Sequence, residues 1–242
     1  MGTNRHLDIL LVINETAGAD QEPVGVRHVC LACRKCLNAA GVAIYLVGTV
    51  QPLEVAGTAG DEMAELQTTV GEGPVSEAMR QNQPVFASDL ADGWSANRWP
   101  VFAPAAVAAG VAAVFVIPLT LGAIALGALE ICRDVGGPLS PDELADALLF
   151  ADTATALLLS RSATPATLDG ADLWATEPER RWGVVHQATG MMSVQLDTDL
   201  GEAFLRLRAH AYLTGLRLSE VAADVVARRL RFTPDTNHEN QR

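Results

Sequence analysis

Apolar positions fall into two regimes along the chain. From the start to about residue 162, strand-like and helix-like stretches alternate between turns marked by glycine and proline; from about 173 to 232, apolar side chains recur at helical spacing. In the first regime the stretch 7–13, apolar from Ile9 to Ile13, opens either a helix or a strand. Residues 25–40 carry a helical pattern, with Gly41 as the residue that stops it. Segments 42–47 and 52–58 alternate and are rich in β-formers, which predicts a pair of strands. Gly71-Glu72-Gly73-Pro74 reads as a loop before a short helix over 75–81, and 84–88 as a strand ending at Asp89. A short apolar helix over 101–109 precedes a strand over 111–119, and a turn at Gly122 leads to a strand over 126–133. Ser140-Pro141-Asp142-Glu143 joins a serine N-cap to proline at N1 and glutamate at N3, so a helix starts here and runs to about 160.

In the second regime, residues 163–172 are small and polar, with Pro165 and Gly170, and read as a linker. Thr176 and Glu179 form a second capping box, with Pro178 between them. The helix that follows, to about 195, buries Trp182, Val185, Thr189, Met192 and Leu196, which step by three and four. A second helix runs from near Asp199 to Gly215 and buries Leu200, Ala203, Phe204, Leu207 and Ala211; a third starts at Ser219 and buries Val221, Ala222 and Val225. Three short helices with short connections make a small bundle whose Leu/Ala core is thin. The predicted organisation is an α+β domain over 6–162, a linker over 163–172, an all-α three-helix domain over 173–232 and a disordered tail over 233–242.

Charge refines this picture. The formal net charge is −12, but eight Arg/Lys against 19 Asp/Glu lie in 1–171, and nine Arg against ten Asp/Glu in 172–242. The first part repels polyanions, whereas the second is nearly neutral and has room for a local basic face. Lys35 is the only lysine, so phosphate contacts fall to arginine, backbone or hydroxyls. Residues 99–129 carry no charge, but Pro100, Pro104, Pro118, Gly110, Gly122 and Gly127 interrupt the run, which argues for a buried helix and hairpin and against a membrane span. The apolar run at the start is too short for a signal peptide. The expectation is a cytoplasmic protein with no membrane partner.

Candidate chemistry is sparse in the first domain. Cys30, Cys33 and Cys36 form a C-x2-C-x2-C run, with Cys132 far away as a fourth thiol. Such spacing suits a cluster when it lies in a loop, but here it lies in a helical pattern, where the thiols trace a core-facing stripe. Redox sensing, with Arg34 and Lys35 lowering a thiol pKa, stays open as the alternative. Histidines 6, 28, 186, 210 and 238 form no metal spacing, and no cofactor is expected. No P-loop, G-x-S-x-G or carboxylate pair with an adjacent base is present, so the chain does not read as an enzyme. In the second domain, Gly190 costs a helix about 1 kcal/mol relative to alanine. It lets another backbone or a base come close, with Gln187 and Thr189 beside it as donors and acceptors. Arg206 and Arg208 point away from the Phe204–Leu207 side, Arg217 sits in the last connection, and Arg228, Arg229 and Arg231 cluster at the end. On pattern alone, the alternative that Gly190 serves helix packing and the arginines form a solvated face stays open.

Two resemblances bear on that choice. Arg181, Val185, Gln187-Ala188-Thr189-Gly190-Met191-Met192, Glu202-Ala203-Phe204, Leu207-Arg208, Ala211 and Leu218-Ser219-Glu220-Val221-Ala222 resemble, in order, an ANTAR domain, the RNA-binding module of bacterial transcription antiterminators. The family has a lysine where this chain has Thr189. Val70-Gly71-Glu72-Gly73-Pro74, the segment 83–89 (QPVFASD), and the hairpin 110–119 with 127–131 resemble a GAF domain, a cytoplasmic sensor fold with a central antiparallel sheet and flanking helices. The pair of resemblances implies a GAF–ANTAR regulator: a homodimer, joined through the helix over 140–160 and the first C-terminal helix, that binds tandem RNA hairpins and prevents terminator formation. It implies phosphate contacts from Arg206, Arg208 and Arg217, and loop-base contacts from Gln187, Thr189, Gly190 and Ser219. It leaves the sensor's small-molecule ligand undefined. The competing readings are a scaffold that does not bind RNA, and a DNA-reading helix-turn-helix over 215–226; against the latter, Glu220 and Asp224 place carboxylates where base contacts would form.

Overall fold

The computed structural model describes residues 2–49, 51–163 and 177–233, and the chain divides into two compact units, Met1–Leu173 and Trp174–Arg242. The linker and tail readings, and the capping box that begins at Thr176, fall almost wholly outside the described residues.

The first unit is built on a five-stranded sheet of β1 (Gly41–Leu46), β2 (Pro52–Ala56), β3 (Val85–Ala87), β4 (Ala113–Leu121) and β5 (Ile124–Arg133), in the order β2-β1-β5-β4-β3. Every pairing is antiparallel; Ile44 and Ile117 both lie opposite Leu129, and Phe86 lies opposite Phe115. Both faces are covered, which is why β4 and β5 read as continuous apolar runs rather than alternating ones. One face packs Val42, Ile44, Phe115, Ile117, Leu129 and Ile131 against α1 (Gly2–Asp20), α2 (Val26–Cys36) and α7 (Pro141–Ala163). The other carries α3 (Thr58–Val70) and α4 (Pro74–Gln81); α6 (Phe102–Ala108) packs on α3, with the short α5 (Gly93–Arg98) beside α6. The α7 start is capped reciprocally, Glu143 N–H donating to Ser140 Oγ (3.2 Å) and Ser140 N–H to Glu143 Oε2 (2.7 Å).

Several boundaries differ from the sequence reading. The stretch 7–13 belongs to a 19-residue helix in which, among the residues whose burial is described, Ile9, Ile13 and Ala17 are the buried ones, so the apolar run from Ile9 to Ile13 hid a four-residue period. The helix over 25–40 ends at Cys36; Asn38 takes the left-handed conformation (φ 47), and Gly41 opens β1. The helix α3 was absent from the sequence reading because its inward positions include Glu65, Gln67 and Thr68 as well as Met63 and Ala64. α5 was missed as well; Asp92 caps it, accepting Ser95 N–H at 2.6 Å.

The second unit comprises α8 (Glu177–Leu196), α9 (Leu200–Thr214) and α10 (Leu218–Val226), each packed on the other two. Trp182, Val185, Thr189, Met192 and Leu196 all face inward, with Ala203, Leu207 and Ala211 from α9 and Val221, Ala222 and Val225 from α10. Asp199 caps α9 and Gly215 closes it in the left-handed conformation. Two expected core members differ: Leu200 is 60% exposed, because the first turn of α9 lies at the rim, and Phe204 is only half-buried. The third helix begins one residue earlier than Ser219, where Glu220 Oε2 accepts the Arg217 N–H at 3.1 Å. No helix among the described residues is long and apolar enough to cross a membrane.

Candidate functional site

In the first unit the polar chemistry lies under α3 and α4. Glu130 on β5 is fully buried, and its carboxylate accepts the Tyr45 hydroxyl (2.9 Å) and the Gln67 amide (2.7 Å). Burial pushes its pKa up to about 7 although both donors pull the other way, because no cation compensates the lost hydration. The same burial, with Glu130 alongside, drives the Tyr45 hydroxyl well above its usual range. Gln67 is a clamp: its Oε1 accepts Val75 N–H (2.9 Å) at the start of α4 while its Nε2 reaches the sheet. Gly73 makes room for it, since a Cβ there would lie 2.5 Å from Gln67 Oε1 and its φ of 143 is unfavourable for other residues. The sequence reading placed the loop but not this cluster. The available signal was Glu130 itself, a lone acid within an apolar strand.

Neighbouring carboxylates have structural duties. Glu72 Oε1 accepts the Val101 and Phe102 N–H groups (2.7 and 2.9 Å) where α6 begins. Glu77 accepts from Arg98, Trp99 Nε1 (3.1 Å) and Gln81 (2.7 Å), and Arg98 holds it below the usual carboxylate range. The Arg98 guanidinium in turn lies over Trp94, 4.4 Å from the ring centre.

Of the three closely spaced thiols, Cys30 and Cys33 face the core and burial drives both pKa values up; Cys36 is exposed, so the stripe is two residues long. Arg34 and Lys35 therefore do not activate the buried pair. His28 does meet acidic groups, Asp20 at 3.5 Å and Glu22 at 3.8 Å from Nε2, across a turn that sequence spacing does not reveal. Its Nδ1, however, accepts the Gly25 N–H at 3.0 Å. The neutral ring then carries its proton on Nε2 and offers no lone pair there to a metal. Arg27, 2.5 Å from Asp20, supplies the positive charge.

In the second unit the expected contact residues separate. Gln187 and Gly190 line a shallow groove of ≈ 550 Å³ together with Met191, Val194 and Gln195 of α8 and with Arg228 and Arg231 beyond α10. A Cβ on Gly190 would meet nothing within 4 Å, so this glycine faces the groove and serves no packing contact within the described residues. Thr189 turns the other way: it is 7% exposed, and its hydroxyl donates to Val185 O at 2.8 Å, so it is not on the groove side. Arg206 and Arg208 lie on α9; the first donates to Glu202 (2.8 Å) and the second sits 5.8 Å over the Phe204 ring. Arg217 and Ser219 flank the start of α10, and neither lines the groove. The sequence reading noted Arg228 and Arg231 without assigning them to the site.

The sheet order and the two helical layers define an α+β domain with a central antiparallel sheet. A GAF domain family model matches residues 26–158, and the chain belongs to that family. The GAF domain of a phosphoenolpyruvate-protein phosphotransferase from Coxiella burnetii is similar in structure (14% identity, 65% of this chain and 96% of that one, TM-score 0.46). So are the second GAF domain of DevS from Mycobacterium smegmatis (22%, 56% and 92%, 0.39) and a type II free methionine-R-sulfoxide reductase from Thermoplasma acidophilum (16%, 61% and 96%, 0.42). No curated protein matches the chain. The second unit lies outside the matched residues.

Proposed function

We propose that this protein is a cytoplasmic, non-catalytic regulator in which the GAF unit controls an RNA-binding second unit. As a homodimer it engages tandem stem–loops in mRNA leaders and so promotes transcription antitermination. The observation that carries the reading is the groove: an amide (Gln187), a helix glycine open to the outside and two exposed arginines converge on one face of α8. Amide edges and guanidinium groups beside an apolar floor suit an unpaired base and its phosphate. Two copies on tandem hairpins would multiply affinity through effective concentration. The ordered ANTAR-like residues across α8, α9 and α10 support the same reading. The GAF assignment supports a signalling role, and the burial of Cys30, Cys33 and Cys132 supports a non-catalytic one.

Gel-shift titration of the full-length protein with a tandem stem–loop RNA tests this. Saturable binding that weakens as salt rises is expected, with a single stem–loop binding at least tenfold more weakly. Binding that is absent at low salt favours the scaffold reading instead, to which the net charge of −12 and the Arg206–Glu202 pair lend weight.

A further inference from the structure

After α10 the backbone turns through Arg228, a non-glycine residue at φ 60, and residues 228–232 double back across the end of α8. Two contacts pin this strap: Phe232 N–H donates to Gln195 Oε1 (3.1 Å), and the Phe232 ring meets His210 edge-on at 5.2 Å. The strap therefore sets Arg228 and Arg231 on the groove, facing Gln187, Gly190, Met191 and Val194. Both arginines are exposed and have no ion-pair partner among the described residues, whereas Arg229 between them is tied to Asp224 at 2.6 Å. Val194 is 83% exposed, an apolar side chain presented to whatever enters.

We infer that the strap is a phosphate grip for a single-stranded RNA segment. Arg228 and Arg231 hold two phosphates, a base lies on Met191 and Val194 in the clearance left by Gly190, and Gln195 and Phe232 are positioning residues that hold the strap in place. A fully paired duplex presents phosphates but no open base face, so the apolar floor selects the unpaired strand. This inference rests on the RNA-binding reading and assigns the contact to residues outside the three helices.

The test is fluorescence anisotropy of the full chain with a labelled tandem stem–loop RNA across a salt series, using wild type, R228Q/R231Q, R229Q and Q195A, each checked for unchanged melting by circular dichroism. Two phosphate contacts on a single strand contribute about 1.4 to the slope of log affinity against log salt, so R228Q/R231Q flattens the slope by about that amount and weakens binding roughly 25-fold near 0.1 M salt. Q195A weakens binding while keeping the slope, because the arginines remain but are no longer prepositioned. R229Q changes both quantities less than the double variant does. A wild-type chain that binds RNA while R228Q/R231Q keeps the wild-type slope and affinity overturns the strap and leaves the RNA-binding reading standing. A wild-type chain that binds no RNA removes both. Equal competition by a fully paired duplex of the same sequence overturns the single-strand assignment.

Discussion

A carboxylate buried without a counter-ion destabilises a fold wherever it must be charged. Glu130 titrates near 7 in the folded protein, above the ordinary 4.5, so the native state binds its proton more tightly than the unfolded chain does. Its contribution is most favourable below the unfolded value and is lost as pH rises through about 7. Comparing wild type with Glu130→Gln by urea unfolding at pH 5 and pH 8 therefore shifts the stability difference toward the variant at the higher pH, by roughly 3 kcal/mol at most; a pH-independent difference would contradict the assignment. Gly190 gives the opposite kind of prediction. Gly190→Ala stabilises the second unit by about 0.5–1 kcal/mol, since the methyl meets open space, yet weakens RNA binding by intruding on the groove. At the thiols, brief alkylation of the native protein followed by mass spectrometry should label Cys36 well ahead of Cys30, Cys33 and Cys132, which burial protects. Residue chemistry was only partly legible in the sequence. The pattern that put Thr189 in the inward series was right, and it excludes that side chain from the groove on the other side of the same helix. The Gln67–Glu130 clamp joins positions 63 apart, which no local pattern encodes.

Elements with strong punctuation were readable and those with polar inward faces were not. The capped starts of α7 and α9 and the glycine stop at Gly215 follow from residues that satisfy helix-end groups, so their positions were fixed locally. α3 turns polar side chains into the unit, and α1 exposes Leu7 and Leu11 while burying Ile9 and Ile13, so hydrophobic period misreported both. In the second unit the inward faces are lean: α9 contributes two alanines and Leu207. Leu207→Ala removes the largest of the three and costs about 2–5 kcal/mol. Differential scanning calorimetry should show one transition moved down and the GAF unit's transition in place; a shift of both by equal amounts would mean that the two units unfold as one.

At the scale of the whole molecule, the two regimes of apolar spacing correspond to two compact units, and the first of them is a GAF domain. The fold class was legible because sheet-forming runs and helical periods are properties of neighbouring residues. The groove was not, because it is completed by a strap that returns through one left-handed residue at 228. Charge is likewise a global property: the surplus of acid in the first 171 residues makes long-range steering of polyanions unfavourable, so RNA association should be slow at low salt for a basic-face binder and depend on short-range contacts. Helix α7 has its own mechanical consequence. It is anchored in the GAF core by Ala147, Phe150, Ala151 and Ala154, and it continues to Ala163 without a break. Leu157 and Leu158 pack on the same core, so only the five residues past Leu158 extend beyond it, about 8 Å of helix; a pivot of about 5° there moves the tip by less than about 1 Å, so a larger displacement at the tip reports movement of the whole helix on the sheet.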